Sequence, residues 1–514
     1  MIEVAPPLED ATWHRLSPRM LLVHPVVELL RALPALAGVV LAGSSNGHGS
    51  RWGLVAVGVV AVLSLSRWFT TRLRISDDQV QLRHGLLRRR TTATRRDRIR
   101  TVDVTAHPLH RVLGLARVVI GTGTSDRRGG GRIVLDGLTV DAARALHADL
   151  LHRASPAAEP TAGPVAGGAP EPAHEIARLD RRWIRYGPFT LSGVLTGLVL
   201  FGFLQRLQGE SGVDVLHSGP WRTITRDIAG WPTPVVVGVV ALALIAFVAI
   251  SSTAGYVLAF WNFRLVRHDG GTLQVTRGLV TTRATSIERR RLVGAEISEP
   301  LVLRAVGGAR STVVATGLRV GRGAERGGEV LLPPAPKADA ERVATAVLDG
   351  TPAITAELVR HGPRARTRRL IRAVASALLL LGLLVLGYLS GGSTVVIGVG
   401  AVLVVASVPL GTDRYRSLGH AAVDGYLVTR FGSLVRRRVV LDGDAVIGWN
   451  LRTSFFQRRA GLTTLTATTA AGRQGYSVVD VAPAEALAVA ETLVPGLLSP
   501  FVRVPRPTPR ATAG

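Results

Sequence analysis

The chain has 514 residues, 47% hydrophobic and 19% charged, with a formal net charge of +26 and no cysteine. The missing thiols exclude disulfides, thiolate zinc sites, iron–sulfur clusters and cysteine nucleophiles. The chain is too apolar for an ordinary soluble protein and too charged for a bare helical transporter core, which leaves membrane spans alternating with soluble modules.

Nearly all of the positive charge is arginine, and Lys337 is the single lysine. Such an excess points to a polyanion, either nucleic acid or the anionic cytoplasmic leaflet. It also follows from topology, because cytoplasmic flanks of membrane helices collect Lys and Arg. The membrane account is the more economical one.

In chain order, residues 1–25 carry Glu3, Glu9 and Asp10 before any apolar run. That is the wrong order for a cleavable signal, so the first span is expected to act as its own insertion signal. Six apolar stretches follow in pairs: Val26–Ala42 and Trp52–Phe69, Tyr186–Leu204 and Pro234–Phe260, Ala373–Leu389 and Ser393–Gly411. A span needs about 20 apolar residues. The first stretch is the weakest, since it holds Glu28, Arg31 and Pro34, and Glu28 is read as snorkelling or pairing with Arg31 rather than relaying protons. Loops within each pair are poor in net charge and the segments after each pair are arginine-dense, which predicts cytoplasmic termini and cytoplasmic modules.

The long segments read as β-rich. Arg72–Arg83, Thr272–Val280 and Gly425–Phe431 alternate apolar and polar residues beside glycine turns. Each segment then ends in a helix-like stretch: Thr139–His152, Lys337–Leu348 and Pro483–Leu493, the last with Pro483 suited to a first turn. Ser155–Pro172, rich in Ala, Pro and Gly, reads as a tether. The predicted order is a segment 1–25, helix pair 26–69, module 70–153, linker 154–180, helix pair 181–260, module 261–350, linker 351–368, helix pair 369–411, module 412–496 and a disordered basic tail 497–514.

A repeat underlies this order. A turn glycine is followed each time by an Arg-x-x-Gly: Gly85 by Arg111 and Gly114, Gly278 by Arg304 and Gly307, Gly432 by Arg458 and Gly461. The two glycines lie 29 residues apart in all three copies. A basic stretch follows each turn glycine, and Ala116–Gly121, Ser311–Thr316 and Thr463–Thr468 are β-compatible runs after the second one. The glycines are read as structural turns. Arg111, Arg304 and Arg458 fit equally a role in capping a strand or covering apolar surface, and contact with a lipid or partner.

Gly85–Arg90, Arg98-Ile-Arg-Thr-Val102 and Pro108-Leu-His-Arg-Val-Leu-Gly114 carry a resemblance to a family. The second copy has Gly278-Leu-Val, Arg291-Leu-Val, Glu299-Pro-Leu and Arg304-Ala-Val-Gly307; the third replaces the Pro-Leu element with Trp449–Phe456. The chain resembles bacterial pleckstrin-homology-like (bPH2) membrane proteins of the YdbT type. The resemblance implies an α+β fold for each module, a small antiparallel barrel closed by a C-terminal helix, each following a transmembrane helix pair. It implies no settled activity, and a role in cell-envelope homeostasis rests on it alone.

The densest charge cluster is Arg88, Arg89 and Arg90 with Arg95, Arg96, Arg98 and Arg100. Arginine forks hold phosphates bidentately, and each basic residue near an anionic surface adds about 1 kcal/mol. As a cluster these are expected to contact lipid head groups or a partner, although any one of them is accounted for by topology. His107 and His110 have a His-x-x-His spacing with Asp103 nearby; with Pro108 between them, a loop with two ordinary histidines is expected, not a metal site. No nucleotide, hydrolase or metalloprotease motif is present, so no cofactor, metal or catalytic residue is expected. Arg83–Arg100 contains no aromatic residue, which argues against nucleic acid. The expectation is a non-enzymatic, multi-pass protein of the bacterial cell membrane whose modules meet anionic lipid head groups, a protein partner, or both. The alternative is an accessory component of a transporter or exporter.

Overall fold

The computed structural model describes residues 13–15, 17–21, 58, 69–76, 79–84, 90–95, 99, 101–106, 108–121, 132–143, 145–146, 174–190, 230–268, 271–316, 330–391 and 393–498. The predicted spans Val26–Ala42 and Trp52–Phe69 and most of Tyr186–Leu204 lie outside these residues. The chain divides into two compact units, one comprising 1–179, 257–291 and 317–319, the other the remaining residues.

The first unit holds two antiparallel sheets. Strands β1 (His14–Arg15), β2 (Arg72–Ile75), β3 (Gln79–His84) and β4 (Arg90–Arg95) pair in that order. Period-two burial is plain in β2, where Leu73 and Ile75 point inward and Arg72 outward. The second sheet contains β5 (Thr101–Ala106), β6 (Leu115–Gly121), β7 (Arg132–Thr139), β8 (His174–Arg178), β9 (Arg264–Arg267), β10 (Leu273–Arg277) and β11 (Thr282–Ile287). Its order is β7-β6-β5-β11-β10-β9-β8. Leu73, Val80 and Leu82 from the first sheet meet Val118, Ile120, Ile133 and Leu135 from the second in one core. Residues 140–143 begin the closing helix of the first repeat, and Ala143 and Leu146 join that core.

The second unit repeats the scheme. Strands β12 (Leu292–Pro300), β13 (Gly308–Ala315), β14 (Val330–Pro336), β15 (Gly419–Val423), β16 (Tyr426–Phe431) and β17 (Val435–Asp442) form one sheet in the order β14-β13-β12-β17-β16-β15. Strands β18 (Gly448–Arg452), β19 (Thr463–Thr468) and β20 (Gly475–Val481) form another. Leu427, Val439 and Leu441 pack on Leu465, Tyr476 and Val478 between them. Helices Lys337–Val347 and Pro483–Leu493 bury their small apolar faces, as at Ala340, Ala344, Ala486 and Ala490.

The three repeats therefore do not stand as separate modules. Strands of the second repeat share one sheet with the first repeat, through β5 and β11, and another with the third, through β12 and β17. The register is the same at both junctions. Arg283, five residues after Gly278, faces Thr105, twenty after Gly85. Arg437, five after Gly432, faces Ser298, twenty after Gly278.

Among the described residues three helices are long and apolar enough to cross a membrane: Pro234–Phe260, within the helix α1 (Thr233–Phe260), α2 (Pro363–Leu389) and α3 (Val395–Arg416). Their flanks are exposed; Ile245, Leu379 and Val405 are each more than 60% accessible. Helices α2 and α3 pack where small residues allow it, since a Cβ on Gly400 would sit 2.7 Å from Leu381 Cδ1. Two expectations need correcting. Helix α2 starts ten residues before the predicted Ala373, because Pro363 opens it and an arginine-rich first half precedes the apolar run. Tyr186–Phe189, the expected start of a span, belong to a 3-10 segment, Arg181–Phe189, opened by Asp180 at its N-cap, with Tyr186 buried against Leu303 and Gly308.

Gly294 lies in the β12–β17 ladder, where an added Cβ would come 2.1 Å from Val440 O. Gly294→Ala should therefore cost about 1–3 kcal/mol. A lowered thermal midpoint, with faster amide exchange in β17, is the expected readout. Gly448→Ala, with nothing within 4 Å of its Cβ, should leave the midpoint unchanged.

Candidate functional site

The turn glycines have a common geometry. Gly278 and Gly432 adopt φ of +108° and +101°, and a Cβ on either would meet a backbone oxygen, that of Thr281 or Val435, at about the same 2.0–2.1 Å. No side-chain-bearing residue fits there. Gly85 lies outside the described residues. Gly114, Gly307 and Gly461 take the left-handed conformation, φ +66°, +73° and +63°, each just after a short helix: Pro108–Val112, Leu301–Ala305 and Phe455–Ala460.

The Gly278 turn brings its hairpin to the end of an apolar helix. The Gly278 and Leu279 N–H groups donate to the Trp261 and Leu258 carbonyls, at the end of α1. The tip residues Leu279 and Val280 are left exposed. In the second unit the Leu301 N–H donates to the Leu434 carbonyl at 2.7 Å, and Leu301, Val302 and Leu434 are exposed together.

The repeat arginines act between repeats. Arg111 donates to the Leu279 carbonyl at 2.7 Å, at the hairpin of the following repeat. Arg304 donates to Asp413 at 3.0 Å, near the end of the helix that precedes the third repeat. Arg458 is exposed and its side chain has no polar partner among the described residues.

The basic runs meet different fates. Arg436 bonds Asp413 at 3.1 Å and Ser417, and approaches Glu299; Arg437 lies 3.6 Å from Glu296, which also takes Arg473 at 2.7 Å. Glu296 and Glu299 are nearly fully buried. Arg438 donates to the Ala353 and Ala356 carbonyls. Arg291 is also buried, bonding Glu288 and the Ile99 carbonyl. In the first repeat Arg90 opens β4 and Arg95 ends it with an exposed side chain, while Arg88, Arg89, Arg96 and Arg98 lie outside the described residues.

A buried polar cluster fixes α2 to the third repeat. Asp480 is fully buried, at φ +60°, and accepts from Arg368 at 2.5 Å, Arg369 at 2.6 Å and Gln457 at 2.9 Å. His361 bonds the Asp480 carbonyl and His420. Burial, with His420 beside it, pushes the His361 pKa down to about 4, and burial lowers that of His420 as well.

Sequence reasoning missed the acidic partners Glu296, Glu299, Asp413 and Asp480. Their only signal was being scarce carboxylates among many arginines. It also missed that Pro108 opens a helical turn, the first-turn position that tolerates proline, where a loop was expected. His110 meets Asp136 at 3.1 Å. No group of three metal-ligating side chains occurs among the described residues.

A family model of the bacterial PH domain matches residues 28–154, 223–351 and 374–494, more than half of the chain. The chain belongs to the bacterial PH domain family. Each match in this bacterial PH domain protein takes in one hairpin, one Arg-x-x-Gly helix and one closing helix of the repeat. No curated protein and no solved structure matches it.

Asp480→Asn leaves two arginines buried without their counter-charge, so a loss of about 3–5 kcal/mol is expected by denaturant unfolding. The pH dependence has a defined sign. His361 is harder to protonate folded than unfolded, so its contribution is present above about pH 6.5 and is lost as pH falls toward about 4. His361→Gln should flatten that window of an acid-unfolding profile.

Proposed function

We propose that the chain is a non-enzymatic, multi-pass protein of the bacterial cell membrane, related to the YdbT type. Its helices would cross in three pairs, and its three PH-like modules would lie against the anionic cytoplasmic leaflet. The observation that carries this reading is the set of exposed apolar tips at the helix ends. Leu279 and Val280 hang on the last turn of α1, and Leu301, Val302 and Leu434 cluster through Arg304 at the end of α3. A polar environment penalises such exposed side chains by their apolar area, and the acyl boundary relieves that cost. Arginine-rich flanks support the cytoplasmic orientation.

Magnitudes decide what the arginines do here. Spanning helices anchor the chain far more strongly than a few surface charges at about 1 kcal/mol each. Arg88, Arg89 and Arg90 with Arg95, Arg96 and Arg98 therefore orient the first module and select head groups; they do not recruit it. In the third repeat the corresponding run is engaged by Asp413, Glu296 and Glu299, which supports assigning lipid contact to the first repeat. Bacterial PH-like domains are generally non-catalytic, in keeping with a binding or scaffolding role.

The absence of cysteine makes a direct test simple. Leu279→Cys, Val302→Cys and Leu434→Cys, each labelled with a polarity-sensitive fluorophore, would be placed in lipid nanodiscs. Quenching by shallow nitroxide lipids is expected at all three, stronger with anionic than neutral lipid. Arg88→Ala, Arg89→Ala and Arg90→Ala together should remove that lipid dependence. Equal access of an aqueous quencher to all three sites would sink the reading.

A further inference from the structure

The two internal junctions define a rule for joining PH-like repeats, and among the described residues the third repeat leaves the corresponding strand edge open. At each junction the fourth strand of one module (β5 or β12) pairs with the third strand of the next (β11 or β17), in one register. Strand β18 is the fourth strand of the third module, and it is an edge strand among the described residues. Asn450, Leu451 and Arg452 along it are exposed. An open, exposed strand edge is a template for another strand.

Three further features of the junction between the second and third repeats recur at this edge, and the arginine is common to both junctions. Gly294, sixteen residues after Gly278, lets the backbone of β17 come close; Gly448, sixteen after Gly432, has nothing within 4 Å. Arg111 and Arg304 reach the following repeat, whereas Arg458, at the same position, has no polar partner. Leu301 bonds the next hairpin, whereas Phe455, its counterpart, is 61% exposed and Phe456 71%.

We infer that β18 with Arg458 and Phe455 is a docking edge for the third strand of a PH-like module on a separate polypeptide, one that is acidic where this chain is basic. Charge selects that partner. In β12, Glu296 and Glu299 face the arginine run of β17. At the corresponding places β18 and its extension offer Asn450 and Thr453, with Arg452 between them. A second copy of this chain would set Arg90, five residues after Gly85, opposite Arg452 with no carboxylate to relieve it. An acidic third strand meets Arg452 and Arg458 instead. The pairing holds whether or not the first repeat meets lipid.

The test uses the full chain in detergent micelles and a fluorescent hairpin peptide with the sequence of residues 426–441. One version keeps its arginines; the other carries Arg436→Glu, Arg437→Glu and Arg438→Glu. The acidic peptide should bind at least about ten-fold more tightly, as complementary charge across a strand pair requires. Its binding should slow amide exchange across 448–452. Gly448→Ala in the chain should abolish binding without moving the thermal midpoint, and Arg452→Glu with Arg458→Glu should reverse the preference. Equal affinity for the two peptides, or binding without protection of 448–452, overturns the proposal. So does protection of 448–452 in the chain alone, whether it rises with protein concentration, as for a second copy, or appears only in anionic vesicles, as for lipid.

Discussion

Backbone N–H and C=O groups along a strand edge need partners or water, and this requirement organises the molecule. A short PH-like repeat has two sheets and therefore exposed edges. Here the fourth strand of one module supplies the edge that the third strand of the next requires. The same register at Thr105–Arg283 and Ser298–Arg437 makes this a repeated joint. Its cost is steric, and Gly294 meets that cost where Val440 comes close.

Charge then fixes which edges meet. Strand pairing alone is promiscuous, because every backbone carries the same donors and acceptors. The joint between the second and third repeats adds Glu296 and Glu299 against Arg436 and Arg437, with Asp413 joining Arg304 and Arg436. Buried ion pairs of this kind return little net stability against hydrophobic packing, but they penalise wrong partners heavily. The described arginines are thus divided between these joints and the surface.

The apolar helices are tied to the soluble layer at defined points. Hairpin N–H groups seat on the end of α1, and Arg368 and Arg369 at the start of α2 converge on Asp480. Such ties connect α1 to the second repeat and α2 to the third. They also place Leu279, Val280 and Leu434 at helix ends.

Much of this architecture was legible in the sequence. The 29-residue glycine spacing gave the three repeats, since only glycine serves a turn with φ near +100°. Apolar runs marked the helices Pro234–Phe260, Ala373–Leu389 and Ser393–Gly411, and period-two patterns marked β2, β10 and β16. Local signals of this kind depend on neighbours in the chain. The partners of the arginines did not follow, because Arg304 and Asp413, or Arg369 and Asp480, lie more than 100 residues apart. Nor did the sharing of sheets between repeats: a strand's pattern states which face is buried, but not which edge it will join. That choice belongs to the tertiary structure, where Gly294, Glu296 and Glu299 come to lie on the one edge that β17 can reach.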